Sequence, residues 1–187
     1  MNANFLRASC ITALAAISAS AVAQGQGSGC DGLPSHSQLK SALTAARQQA
    51  NGGFDLDMWA AVVNRDGFVC AVAFTGDDRG SRIGGVNVFG GGLALYDRNQ
   101  TLIGAIGVSG DTSCADHNIV WRTRHTLNLD FVPGGISAAS DDNINYIGLV
   151  QVPSLANDFS HPVCEIAGKD NVSEISARLP PVQKPET

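Results

Sequence analysis

Residues 101–110, Thr-Leu-Ile-Gly-Ala-Ile-Gly-Val-Ser-Gly, restrict the fold more than any other stretch of the chain. Side chains alternate between the faces of a strand. Leu102, Gly104, Ile106 and Val108 therefore share one face, and Ile103, Ala105, Gly107 and Ser109 the other. Both sets are apolar, the mark of a central strand covered on both sides. The second face is also shallow. Glycine weakens a strand unless something approaches its backbone closely, so that face takes either a tightly packed helix or a flat ligand. The spacing favours the helix.

The neighbouring segments fit an antiparallel sheet around this strand. Trp59–Val63 and Phe68–Phe74 are apolar runs around the turn Asn64-Arg65-Asp66-Gly67, a hairpin signal. Leu93–Tyr96 and Thr101–Val108 form a second hairpin around Asp97-Arg98-Asn99-Gln100, with a further short strand at Val86–Phe89 before it. Ser35 opens a helix with Gln38 three residues on, as in a capping box. Leu39, Ala42, Leu43, Ala46 and Ala50 lie on one face of it, and Asn51-Gly52-Gly53 ends it. Asp111 or Thr112 caps a second helix running to about Leu129. Helix, hairpin, three strands and helix make an α+β domain with helices on an antiparallel sheet.

Arg7 precedes an apolar stretch, Ile11–Ala23, that ends in Ala21-Val22-Ala23, the small-x-small pattern of a signal-peptidase site. The run is too short to span a bilayer permanently, so the chain reads as secreted or periplasmic. The expected organisation is a signal peptide at 1–23, a linker at 24–34, a domain at 35–150 and an irregular tail at 151–187. The 17 acidic against 12 basic residues exclude nucleic acid and anionic membranes as partners. Cys30, Cys70, Cys114 and Cys164 follow the leader in a compartment that permits disulfides. Four cysteines allow three pairings. None has CxxC or CxxxH spacing, which speaks against a thiolate zinc site.

Catalytic patterns are scarce. Ser109 lies outside any Gly-x-Ser-x-Gly elbow, and the glycines at Gly84-Gly85 and Gly90-Gly91-Gly92 make no nucleotide-binding fingerprint. Asp77-Asp78 and Asp141-Asp142 lack calcium-loop spacing. The Ser109-Gly110-Asp111 turn leads into a helix start, which either holds a carboxylate or phosphate or is simply capped by Asp111 and Thr112. Capping is the favoured reading. Along the helix His117, Trp121 and His125 recur every four residues. Either histidine serves as one axial haem ligand, or both are structural or solvated, as lone helix histidines usually are.

The stretch from Arg82 to Trp121 resembles the GlcG/HbpS-like family of haem-binding proteins. The resemblance rests on Gly84-Gly85-Val86, the hairpin, Gly104-Ala105-Ile106-Gly107-Val108-Ser109-Gly110, and Asp116 near the helix start; it covers about residues 35–130. It implies a profilin-like, five-stranded antiparallel sheet of order 2-1-5-4-3 with flanking helices. Family members carry a long helical segment between the second and third strands, where here only Thr75–Gly85 intervenes. One helical cover of the sheet is then missing, and that face is exposed or buried by a second copy. Self-association, or lower stability than longer relatives, is the expected consequence.

The ligand so implied is haem or another small planar molecule. The expected site is beside the Ser109–Asp111 turn, where Ala105 and Gly107 leave room for a ring and the amides of Ser109, Gly110 and Asp111 meet a propionate. His117 is the nearest iron ligand and Trp121 stacks beyond it, although many relatives carry an acid at the histidine's position. His36 and His161 have no part in it. The alternatives are a non-catalytic oligomerising module and, less well supported, an enzyme acting on a small organic acid at the turn. Cys114 at the helix start and Cys164 in a tail returning over the sheet are expected to pair, leaving Cys30 with Cys70.

Overall fold

The computed structural model describes residues 29–77, 90–134, 142–146 and 161–185. The expected signal peptide, residues 24–28 of the expected linker, the Gly84-Gly85-Val86 element and the strand expected at Val86–Phe89 lie outside the described residues. Within them the chain forms α1 (His36–Arg47), β1 (Trp59–Asn64), β2 (Val69–Phe74), β3 (Gly91–Tyr96), β4 (Leu102–Ser109), α2 (Ser113–Thr126) and α3 (Val172–Ala177). The short helix α3 falls inside the stretch expected to be irregular.

The cap of α1 is the expected one. Ser35 Oγ accepts the Gln38 N–H while Gln38 Oε1 accepts the Ser35 N–H. Asn51 ends the helix three residues earlier than the apolar pattern suggested. Its side-chain amide donates to the carbonyls of Ala46, Arg47 and Gln49 at the helix end. Thr112 caps α2, accepting the Ala115 N–H.

The four strands form an antiparallel sheet in the order β2-β1-β4-β3. The stretch read as a central strand, β4, lies between β1 and β3. Register sets the faces. Val62 lies opposite Ile106, and Ile106 opposite Leu93; Ala61 lies opposite Gly107, and Gly107 opposite Gly92. The first row is buried under α1 and α2, which touch each other and pack on β2 and on β3 and β4 respectively. Leu39, Leu43, Val62, Leu95, Ile106 and Val120 are completely enclosed there. Each such side chain contributes about 1.5–3 kcal/mol on burial.

The close helix approach exists, but not where the sequence suggested. A Cβ on Gly91 would lie 2.7 Å from the carbonyl carbon and oxygen of Asp116 and 2.8 Å from the His117 nitrogen, so α2 rests directly on β3. Over Gly107, by contrast, no described atom comes within 4 Å of such a Cβ. The expected tight helix on the Ala105–Gly107 face is corrected accordingly. Helices bury more area against Ile106, Val108, Leu93 and Leu95 than against alanine and glycine, and they take that face.

Both expected disulfides are present, Cys30–Cys70 and Cys114–Cys164. The second closes a 50-residue separation, worth about 4 kcal/mol on the chain-entropy model.

Candidate functional site

The open face of the sheet carries small side chains in adjoining rows. Ala61, Gly107 and Gly92 form one row, and Val63, Ala105 and Ala94 the next. With no Cβ at two of three positions in the first row, the surface dips into a trough. It encloses about 850 Å³, with Leu102 and Arg65 at its margin. Trp59, opposite Ser109 in the register, stacks on Phe74 with 4.6 Å between ring centres. That aromatic pair continues the same face beyond the glycine row. Arg65, in the exposed β1–β2 turn, brings a cation to a largely apolar depression.

The seven residues singled out in the sequence divide between the two sides of the sheet. Ala105 and Gly107 line the trough, and Ser109 continues their face by alternation. Gly110 and Asp111 form the turn, but the Asp111 carboxylate is engaged. It accepts the N–H groups of Phe54 at 2.9 Å, Leu56 at 3.3 Å and Thr112 at 2.7 Å. Asp111 thus ties the α1–β1 loop to the residue that starts α2, and of the two expected caps only Thr112 accepts an N–H of the helix.

His117 and Trp121 belong to the covered side. His117 is 7% exposed, and its Nε2 lies 2.8 Å from Asn143 Oδ1 and 3.3 Å from the Ile144 nitrogen. Burial pushes its pKa down to about 4, against smaller opposing effects of the Asn143 hydrogen bond and the Asp142 charge. Trp121 is 3% exposed and donates its indole N–H to the Pro180 carbonyl at 2.8 Å. Its ring sits 4.9 Å from the Arg124 guanidinium carbon. The structure therefore does not bring His117 and Trp121 to the same space as Ala105 and Gly107.

Three charged residues, Arg124, Asp142 and Asp116, organise this covered side. Arg124 is completely buried and holds Asp142 through two hydrogen bonds of 2.5 and 2.8 Å, with a third bond to the Ala94 carbonyl. Asp116 is also completely buried; its Oδ1 accepts the Asp111 N–H at 2.9 Å. Desolvation pushes the Asp116 carboxyl up to about 7; the Asp111 N–H opposes the rise and the Asp111 charge adds to it. Asp116 is the motif acid near the helix start, and Asp142 belongs to the acid pair that lacks calcium-loop spacing. The pairing of Arg124 with Asp142 had no periodic signal, because Asp142 lies in a loop.

Sequence comparison adds one finding. The family model described as haem degrading protein HbpS-like matches residues 73–124, from the end of β2 through most of α2. No curated protein and no solved structure matches the chain.

Proposed function

We propose that this chain is a secreted or periplasmic binding protein that takes haem or a related tetrapyrrole flat against the open face of its sheet. The carrying observation is the apolar trough of about 850 Å³ floored by Gly92, Ala105 and Gly107. A planar macrocycle needs a broad, shallow, apolar surface with a cation at its edge for a carboxylate. Small residues along two strands supply the surface, and Arg65 supplies the cation. The family match supports haem as the molecule concerned. The two disulfides support an oxidising compartment. The match and the strand order also support a profilin-like domain with a fifth strand beside β3.

The trough fits the ring plane better than it fits the iron. No His, Met, Cys or Tyr is among the described residues that line it. Bound haem would supply its own redox chemistry, the kind that the family description names as haem degradation. This chain's part is to bind the ring, shield one of its faces from water and pair a propionate with Arg65.

A titration of the oxidised protein with hemin, followed in the Soret band, tests this reading. Saturation at one per chain is expected, with affinity at least tenfold lower in Gly107→Leu, whose side chain would fill the trough. His117→Ala should bind hemin with the wild-type spectrum. A normal titration in Gly107→Leu, or loss of the spectrum in His117→Ala, would overturn the proposal.

One further observation favours a second reading. Phe68, Val69 and Val72 are 60, 61 and 44% exposed, and Val69 and Val72 flank the same open face. Packing of two open faces against each other, as in an oligomerising module, would cover them. Size-exclusion chromatography with light scattering distinguishes a dimer that hemin dissociates from a monomer that takes hemin directly.

A further inference from the structure

On the side of α2 away from the trough, Cys114, Cys164 and His161 bring two sulfurs and an imidazole nitrogen within 4.8 Å of one another. The sulfurs are joined as a disulfide. His161 Nδ1 lies 3.9 Å from Cys114 Sγ. In a tetrahedral site with bonds of about 2.3 Å to sulfur and 2.0–2.1 Å to nitrogen, ligand atoms stand about 3.5–3.8 Å apart. The spacing from Cys114 Sγ to Nδ1 already approximates this; the sulfur pair has to separate and Nδ1 to leave the Pro162 carbonyl, 2.6 Å away.

We infer that Cys114, Cys164 and His161 form a redox-gated site for a thiophilic cation such as Zn²⁺. The pair is a covalent staple when oxidised and a Cys₂His ligand set when reduced.

Three features beyond proximity support the inference. Cys114 lies in the first turn of α2, where the helix dipole favours a thiolate. Cys164 is half-buried, which leaves one sulfur open to attack. Ser113 Oγ lies 3.2 Å from His161 Nε2, placed to accept its N–H once Nδ1 turns to a metal. Outer partners of this kind orient a ligating imidazole. The sequence concealed the set, since His161 and Cys164 are three apart while Cys114 joins them from 47 residues away.

The chemistry balances with a dithiol as reductant. One dithiol thiolate attacks Cys164 Sγ, the S–S bond breaks and Cys114 leaves as thiolate. The second thiol of the reductant then displaces Cys164. The reductant ends as a cyclic disulfide, and the chain gains two electrons and two protons. Binding of a divalent cation releases both thiol protons, so two protons appear in solution per metal at a pH below the thiol pKa values. Water completes the coordination.

The test uses the full chain with Co²⁺ as a spectroscopic probe, present while a water-soluble phosphine reduces the disulfides. Expected are thiolate-to-cobalt charge-transfer absorption saturating at one ion per chain, retention of native circular dichroism, and displacement by Zn²⁺. Cys30→Ser should bind as wild type, since that pair is elsewhere. His161→Ala and Cys164→Ser should bind at least about 100-fold more weakly, more than the 10–100-fold typical of a lost outer partner. Four results would overturn the proposal. These are no charge-transfer band in the reduced chain, an equal titration in His161→Ala, equal binding by the oxidised chain, and unfolding on reduction with Co²⁺ present.

Discussion

The two faces of one sheet meet very different surroundings, although both are apolar. On the face under α1 and α2, Val62, Leu95, Ile106 and Val108 are buried and exclude water. On the other, Ala61, Ala94 and Ala105 flank Gly92 and Gly107, and no described helix lies above Gly107. Apolarity alone therefore does not attract a helix. Side-chain volume does, because stabilisation scales with the area removed from water, about 25 cal/mol per Å². The covered face also encloses Asp116, His117, Asn118 and Arg124, all on α2. Buried polar groups are costly unless paired: His117 and Arg124 hold Asn143 and Asp142 on the helix, while Asp116 and Asn118 bond Asp111 and Asn51. The open face has no comparable network among the described residues.

The largest expected effect comes from breaking that network. Asp142→Ala leaves the guanidinium of Arg124 buried without its carboxylate, and such losses cost about 3–5 kcal/mol. Arg65→Ala, on the exposed turn beside the trough, should shift stability by no more than about 0.5 kcal/mol. Urea unfolding monitored by tryptophan fluorescence measures both. Equal costs would mean that the two faces are not built on different principles.

Next in size is the glycine under the helix. Gly91→Ala places a methyl against the Asp116 carbonyl, which is backbone and cannot rotate aside. Overpacking of this kind costs about 1–3 kcal/mol, and the midpoint of urea unfolding should fall accordingly. A neutral Gly91→Ala would show that α2 does not rest on β3 as described.

Sequence alone revealed much of this frame where local chemistry decides. The Ser35–Gln38 box starts α1, both hairpins occur where their turns were read, and both disulfides pair as expected. It failed where long-range pairing decides. Asp111 looked like a cap or an anion site, yet it serves Phe54 and Leu56, 57 and 55 residues away. His117 looked like an available ligand, but Asn143 reaches it from 26 residues away in an aperiodic loop. Which glycine lies under a helix was also hidden. Gly91, Gly92 and Gly107 differ in role only through the register of β3 on β4 and the side from which α2 approaches. The shallow Ala105–Gly107 strip was legible; the strips of β1 and β3 that complete it were not.

A subtler difference is electrostatic. Asp116 titrates near 7 in the fold against an ordinary 3.8, so the folded state holds its proton more tightly, and its contribution to stability falls as pH rises from about 4 to 7. His117 titrates near 4 against 6.5, so the unfolded state takes up its proton first, and its contribution rises as pH goes from about 4 to 6.5. One proton changes stability by about 1.4 kcal/mol per pH unit. Over most of this window the neighbours offset each other. Relative to wild type, Asp116→Asn should gain stability as pH rises, and His117→Gln should lose it, each by roughly that slope. Parallel profiles for wild type and both variants would show that neither group is desolvated as the covered face requires.

The smallest effect tests the open face most directly. Glycine inside a strand costs about 0.5–1 kcal/mol relative to alanine, because the unfolded chain has more freedom to lose. At Gly107 the added methyl meets nothing described within 4 Å, so no clash offsets that gain. Gly107→Ala should therefore stabilise the protein by up to about 1 kcal/mol, opposite in sign to Gly91→Ala in the neighbouring strand. The two variants make the same chemical change in one sheet, so the difference between them isolates what lies above each glycine. Thermal unfolding at two protein concentrations tenfold apart gives the sign and checks for partners. A gain independent of concentration identifies a face open to solvent and available to a ring. A loss, or a gain that turns to a loss at the higher concentration, identifies a face already covered, in the second case by another copy of the chain.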